Sequence, residues 1–251
     1  MNQIQKTELE ILIEMDKICK EYNLRYYLAF GTLLGAVRHK GFIPWDTDVD
    51  IIVGVNDYKR FCDTIQSKIS KRYFIYSTWN DPTYEELFAR IGLKNDNHLT
   101  THVDIFPMVG TPKTVLGRKI FSRIAYITHR GFFLKKVNVK INYKNNKLKK
   151  IIASLLKIIL MPVPAKLFMW LFQKLSVAFP IEESDVIYNF IGFSGYRGFI
   201  PKSFLGEPVM VDFEGHEFPA PEKWHEFLSH FYGDYMVPRR KNYISKEKIK
   251  L

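Results

Sequence analysis

An α+β fold, a small mixed sheet flanked by helices, is the expectation for this 251-residue chain, and three changes of texture along it carry that expectation. The first 110 residues alternate amphipathic runs with short apolar ones, as helices and strands around a single sheet do. From 111 to 181 the chain turns basic and helix-patterned. From 182 to 251 it is rich in Gly, Pro and aromatics, with short strand-like pieces and one helix near 221–231. We therefore expect a core over 1–110, a basic amphipathic helical insertion over 111–181 and a C-terminal α/β segment over 182–251.

The core can be followed element by element. Thr7 with Glu10 three residues later reads as a capping box, and Ile11, Met15, Ile18 and Tyr22 then share one helical face. "RYYLAF" (25–30) is strand-like, Gly31-Thr32 breaks it, and "LLGAVR" (33–38) fits a turn or two of helix. "VDIIV" (49–53) is strand again, and Asn56 is placed to cap a helix with Phe61, Cys62, Ile65 and Ile69 on one side. "FIYSTW" (74–79), "LFARIGL" (87–93) and "HVDIFPMV" (102–109) read as strands separated by Asp-Pro and Asn-Asp-Asn turns. Cys19 and Cys62 lack metal-ligand spacing and are expected to be packing residues in a reducing compartment.

Composition excludes a disordered chain: 47% of residues are hydrophobic, 15% aromatic and 25% charged. The net charge of +11 is localised, because Ile105 to Ile181 contain 15 Lys or Arg and no acid, whereas the remainder holds 22 basic and 26 acidic residues. Such a block points to an anionic partner: lipid headgroups, nucleic acid or a polyanionic glycan. Within it, "IIASLLKIILMPVPAKLFMWLFQKLSVAF" (151–179) is interrupted by Lys157, Lys166, Lys174, Pro162 and Pro164, so no run of about 18 uncharged apolar residues remains. Two short helices lying in a membrane interface fit better, with Phe168, Trp170 and Phe172 as wedges. The alternative is an ordinary helical subdomain packed on the core. With an amphipathic N-terminus in place of an apolar signal, the expected location is cytoplasmic, peripheral on the inner face of the cell membrane. The final "ISKEKIKL" reads as a frayed basic tail.

The densest signal is "GTLLGAVRHKGFIPWDTDVDIIV", residues 31–53. Asp48 and Asp50, two apart on a strand, point to one face, and their repulsion calls for a divalent cation, Mg²⁺ or Mn²⁺ by the hardness of the oxygen ligands. Asp104, in "HVDIF", is the candidate third ligand if its strand lies beside 48–53; the alternative is an exposed acid on an edge strand. Three such acids could hold two ions roughly 3.5–4 Å apart around a phosphoryl group. The Gly31-Thr32 break opens a helix whose first N–H groups suit phosphate oxygens, and Arg38, His39 and Lys40 follow it with positive charge.

Together these motifs resemble the nucleotidyltransferase fold of the DNA polymerase β-like superfamily, and within it the LicD family. The family signature is usually Gly-Thr-Leu-Leu-Gly-Ala-x-Arg-His-x-Gly-x-Ile-Pro-Trp-Asp-Asp-Asp-Ile-Asp. "VDIFPMVG" resembles its Asp-Ile-Phe-Pro element and "FEGHEFPAPEKWHEFLSHFYGDYMVP" its C-terminal block. The likeness covers the first 110 residues and about the last 60, and Thr47 departs from it where the family has Asp. It implies a nucleotidyltransferase-like catalytic core and metal-dependent transfer of a phospho-alcohol, phosphocholine or a polyol phosphate, from a CDP-activated donor. The acceptor would be a hydroxyl of a cell-surface glycan or its lipid-linked precursor, as for the similar fukutin-related proteins. By position, Asp48, Asp50 and Asp104 would be catalytic metal ligands, and Gly31, Thr32, Arg38 and His39 would line the donor phosphates with Asp46 supporting them. An anionic membrane surface is a further expected partner and nucleic acid is not.

Two other readings remain open at this level, a nucleotidyltransferase moving NMP onto RNA or a small molecule and a non-catalytic membrane-bound adaptor. Trp45, Tyr26 and Tyr27 suit either a quaternary-ammonium cage or core packing, and His216 a place in an acceptor pocket. His98, His102, His129, His225 and His230 show no metal-ligand spacing, and Tyr232 to Tyr235 read as the turn ending the last helix.

Overall fold

The computed structural model describes residues 1–81, 83–96, 100–137, 139, 146–190 and 196–237. His98 and the "ISKEKIKL" tail lie outside the described residues. In chain order the elements of the first half are α1 (Gln3–Glu21), β1 (Tyr27–Leu28), α2 (Phe30–His39), β2 (Val49–Gly54), α3 (Val55–Lys68), β3 (Tyr73–Tyr76), β4 (Ala89–Leu93) and β5 (His102–Gly110). There follow α4 (Val115–Lys136), α5 (Lys147–Ile159), α6 (Ala165–Ser176), β6 (Val186–Asn189), β7 (Phe199–Pro201), β8 (Val209–Phe213), β9 (His216–Ala220) and α7 (Trp224–Tyr232).

The architecture is mixed α+β. One curled sheet runs β1-β2-β5-β4-β3, with β6 also on β5 and β7 on β6, and β8-β9 form a separate hairpin. Among the described residues only β2 and β5 pair in parallel, in the register Asp50↔Asp104 and Ile51↔Ile105. Both are covered on their two faces, which is why "VDIIV" and "VDIFPMV" are apolar almost without alternation. The other edge of β5 is shared: His102–Ile105 pair with β4, and Met108–Gly110 with β6. The core joins Ile11, Leu12 and Met15 of α1, Leu33 of α2 and Phe61 of α3 to this sheet, to Phe213 and Phe218 of the hairpin and to Phe227 of α7.

Several local expectations shift. The first helix starts at Gln3, because Asn2 and Gln5 cap each other's backbone N–H groups at 2.9 Å. Asn56 lies inside α3, whose N-cap is Gly54, and its side-chain amide donates to Glu182 instead. The strand read over 25–30 shrinks to two residues, since Phe30 already belongs to α2.

In the basic block, α4 packs Phe121 and Ala125 against Val109 of β5 and Tyr188 of β6, and α6 packs along α4. Phe168 is only 6% exposed, lying on Gly131 with Leu87 and Phe132, and Phe172 is half-buried, so neither is a wedge; Trp170, 52% exposed, is the aromatic that faces out. No helix among the described residues is long and apolar enough to cross a membrane.

Candidate active site

The segment 30–50 is a helix, a sharp return and a strand, each fixed by a close contact. Lys40 ends α2 in the left-handed region (φ 58°), and the chain turns so tightly that a Cβ on Gly35 would lie 2.4 Å from the Gly41 carbonyl oxygen. The hairpin tip then holds the return: the Glu214 backbone N–H donates to the Lys40 carbonyl (2.8 Å), and the Phe42 N–H donates to the Glu214 carboxylate (2.9 Å). A turn over Ile43–Asp46, with the Asp46 N–H donating to the Ile43 carbonyl (2.8 Å), brings in the acids, and the Gln5 side-chain amide from α1 donates to the Asp46 carbonyl (2.9 Å).

The acids meet the first turn of α2. The Asp50 N–H donates to the buried Thr32 hydroxyl at 2.8 Å, fixing the strand to the helix. A Cβ on Gly31 would lie 2.7 Å from the Asp46 Oδ2 and 3.7 Å from the Asp50 Oδ2, so both carboxylates crowd this one backbone position. Beside it Phe30 takes φ 45°, a left-handed backbone that a bulky side chain adopts only under constraint. The constraint is aromatic: its ring packs on Phe106 of β5 and on Phe227 and Phe231 of α7, centroids 5.1–5.8 Å apart.

Asp50 and Asp104 are direct register neighbours, and Asp48 sits just ahead of the first residue of β2. Burial raises the Asp50 carboxyl well above the usual range, and the charges of Asp48, Asp104 and Asp46 add to the effect while the Gly31 backbone N–H opposes it. Asp104 is differently placed. Its buried carboxylate is gripped by Arg90, Nε to Oδ1 at 2.6 Å and Nη2 to Oδ2 at 3.4 Å, with His102 Nε2 3.4 Å from Oδ1. Burial works against the Arg90 charge, but Asp104, Tyr84 and Glu86 together outweigh it and raise the guanidinium pKa further.

Arg38 and His39 lie seven and eight residues along α2 from Gly31, about 10–12 Å by helical rise. Arg38 donates through Nη1 to the Tyr235 carbonyl (2.8 Å) and through Nε to His39 Nδ1 (3.4 Å). Half-buried Tyr232 stands within electrostatic reach of Asp50, Asp46, Asp48 and Arg38 together, and desolvation of its hydroxyl followed by those acids pushes it upward. Tyr26 and Tyr27 do not form a cage with Trp45: Tyr26 is buried and donates to Asp16 (2.8 Å), Tyr27 donates to the Gly206 carbonyl (2.6 Å), and Trp45 is exposed. His216 is exposed at the start of β9.

One residue that sequence reasoning missed is Glu8 of α1. It is fully buried, and neither carboxylate oxygen has a hydrogen-bond partner. Burial raises its pKa to about 8; the His102 backbone N–H pulls the other way, short of hydrogen-bond geometry, and Asp48, Asp46 and Asp104 push it further up. No spacing signals it, because an acid in the first turns of a helix ordinarily answers the helix dipole and faces water.

The donor set can be weighed against a divalent cation. Asp48 and Asp50 offer oxygen donors alone, and a hard cation would relieve their repulsion, so this pair fits Mg²⁺ or Mn²⁺. The triad is not assembled, since among the described residues no three His, Cys, Asp or Glu side chains are gathered to hold one ion and Asp104 answers to Arg90.

Comparison with known proteins agrees with the motif reading. Residues 23–148 match the family model described as "LicD/FKTN/FKRP, nucleotidyltransferase domain". The chain is 28% identical over 257 aligned positions, 91% of its length and 88% of the relative's, to the lipopolysaccharide cholinephosphotransferase LicD of Haemophilus influenzae. It is 36% identical over 89 positions, 34% of its length, to the ribitol 5-phosphate transferases FKRP of mouse and human, of which it spans 17%. With half of its length matched to that family model, and the acid cluster inside the matched segment, the chain belongs to the LicD family.

Proposed function

We propose that the chain transfers a phospho-alcohol, phosphocholine or a polyol phosphate, from a CDP-activated donor to a hydroxyl of a cell-surface glycan or its lipid-linked precursor. The observation that carries this reading is the crowding of Asp46 and Asp50 on Gly31 at the first turn of α2, with Asp48 in electrostatic reach and Asp104 beside Asp50 in register, in a family whose relatives are named as cholinephosphate and ribitol phosphate transferases.

A divalent cation held by Asp48 and Asp50 would supply neutralising charge at the donor pyrophosphate. The Gly31 N–H faces the Asp50 carboxylate, and Thr32 places the next backbone N–H at the helix start, where a donor phosphate oxygen can accept from it. Burial pushes the Asp104 carboxyl up beside Asp50 while the Arg90 guanidinium opposes that push, and a carboxylate of this cluster takes the proton of the acceptor hydroxyl. The acceptor oxygen then bonds to the distal phosphorus, the bond from that phosphorus to the bridging oxygen breaks, and CMP leaves with the electron pair. Thr47 is exposed, whereas Asp46, Asp48 and Asp50 on either side of it are half-buried.

The test is CMP release from CDP-choline, CDP-ribitol and CDP-glycerol with Mg²⁺ and glycan acceptors. Asp48→Asn and Asp50→Asn should each lower turnover by about two orders of magnitude or more, with the fold retained. A product retaining NMP would replace the reading with nucleotidyl transfer, and no turnover of any donor with the acids intact would favour the adaptor.

A further inference from the structure

The surface of the basic block is unusual in what it leaves in water. Leu116, Ile120, Ile124 and Ile127 follow one another at helical spacing along α4 and are 69%, 51%, 41% and 64% exposed, while a separate face of α4 buries Phe121, Ala125 and Phe132. On α5 only Ala153 is buried, and Ile151, Ile152, Leu155, Leu156, Ile158 and Ile159 are all exposed. Lys147, Lys150, Ile151, Ser154 and Leu155 line an open depression of about 410 Å³, two ammonium groups beside an apolar floor. Lys113, Lys119, Arg123, Arg130, Lys149 and Lys166 are exposed in the same block, which has no acid anywhere between Ile105 and Ile181.

We propose that the α4–α6 block seats the protein on an anionic lipid bilayer, the aliphatic stripes of α4 and α5 in the interface and the flanking lysines and arginines among the headgroups. Apolar side chains and cations side by side are what such an interface accepts, and the absence of acids removes the charge that would repel it. A second copy of this chain is disfavoured, because it would oppose one cationic surface with another. Nucleic acid would use the cations but would ask for aromatic stacking platforms, and the exposed stripes of α4 and α5 are chiefly leucine and isoleucine. This goes beyond the proposed reaction, since neither donor nor acceptor enters it.

The experiment is flotation of the full chain with vesicles of phosphatidylcholine alone and of phosphatidylcholine with phosphatidylglycerol. We expect partition to the anionic vesicles at least about tenfold stronger than to the neutral ones, declining with salt. Lys147→Glu with Lys149→Glu should weaken it roughly fivefold or more per charge. Ile151→Ser, Leu155→Ser and Ile158→Ser together should weaken it about tenfold or more, and circular dichroism should be unchanged because these side chains are exposed. Equal flotation with neutral vesicles, or apolar variants that float as the parent does, would overturn the proposal. So would retention of single-stranded RNA without flotation, or dimerisation abolished by the apolar variants without flotation. None of these readouts depends on turnover, so the two proposals fail separately.

Discussion

At the scale of single residues the site is governed by crowded charge. Glu8 is an acid whose folded pKa, about 8, lies above the ordinary value of 4.5, so the folded state binds the extra proton. Stability is therefore fully present below about pH 4.5 and is lost as pH rises through the window up to about 8, at most about 1.4 kcal/mol per pH unit for one proton. In chelator, Glu8→Gln should flatten this decline and leave the variant more stable than the parent at pH 8, which urea titrations at several pH values would read. If the Glu8→Gln variant declines as steeply as the parent, the slope belongs to other groups. Gly31→Ala puts a methyl where the Asp46 carboxylate lies, 2.7 Å from its Oδ2, so it should cost about 1 kcal/mol of stability and at least about tenfold in turnover. The aspartates and the Gly-Thr break were legible in the sequence because residue type and spacing announce them. Glu8 was not, since only the packing of α1 against β5 turns an ordinary helical acid into a buried one.

At the scale of elements, the return from α2 to β2 depends on a hairpin some 170 residues away. Glu214→Ala removes the acceptor of the half-buried Phe42 N–H and should destabilise the protein by about 1–2 kcal/mol, with faster amide exchange at Phe42 than at Leu33 within α2. Uniform acceleration across both positions would mean that the hairpin supports the whole core. Strands β2, β4 and β5 could be read from apolar runs and turn chemistry. The start of α1 could not, because Asn2-x-x-Gln5 and Thr7-x-x-Glu10 are both capping patterns and the structure uses the earlier one. The length of β1 was hidden for a similar reason: Phe30 looks like the end of a strand, and only its left-handed backbone, held by three other rings, makes it the start of a helix.

For the whole molecule, charge partition was legible and the facing of individual rings was not. Helical spacing identifies an apolar stripe, but which neighbour covers it is a tertiary fact, so Phe168 went inward against Gly131 while Trp170 stayed out. The basic block leaves and rejoins the sheet at adjacent points: Gly110 of β5 is the register partner of Ile187 of β6. The joint is closed by the Thr111 hydroxyl on the Val186 carbonyl (2.5 Å) and the Thr111 N–H on the Ser184 hydroxyl (3.1 Å). A segment whose two ends are already neighbours adds no span for the sheet to bridge. Its helices can lengthen, shorten or be exchanged for others without moving the register of β5 against β2, so the outer surface of this block can diverge while the aspartates stay where they are.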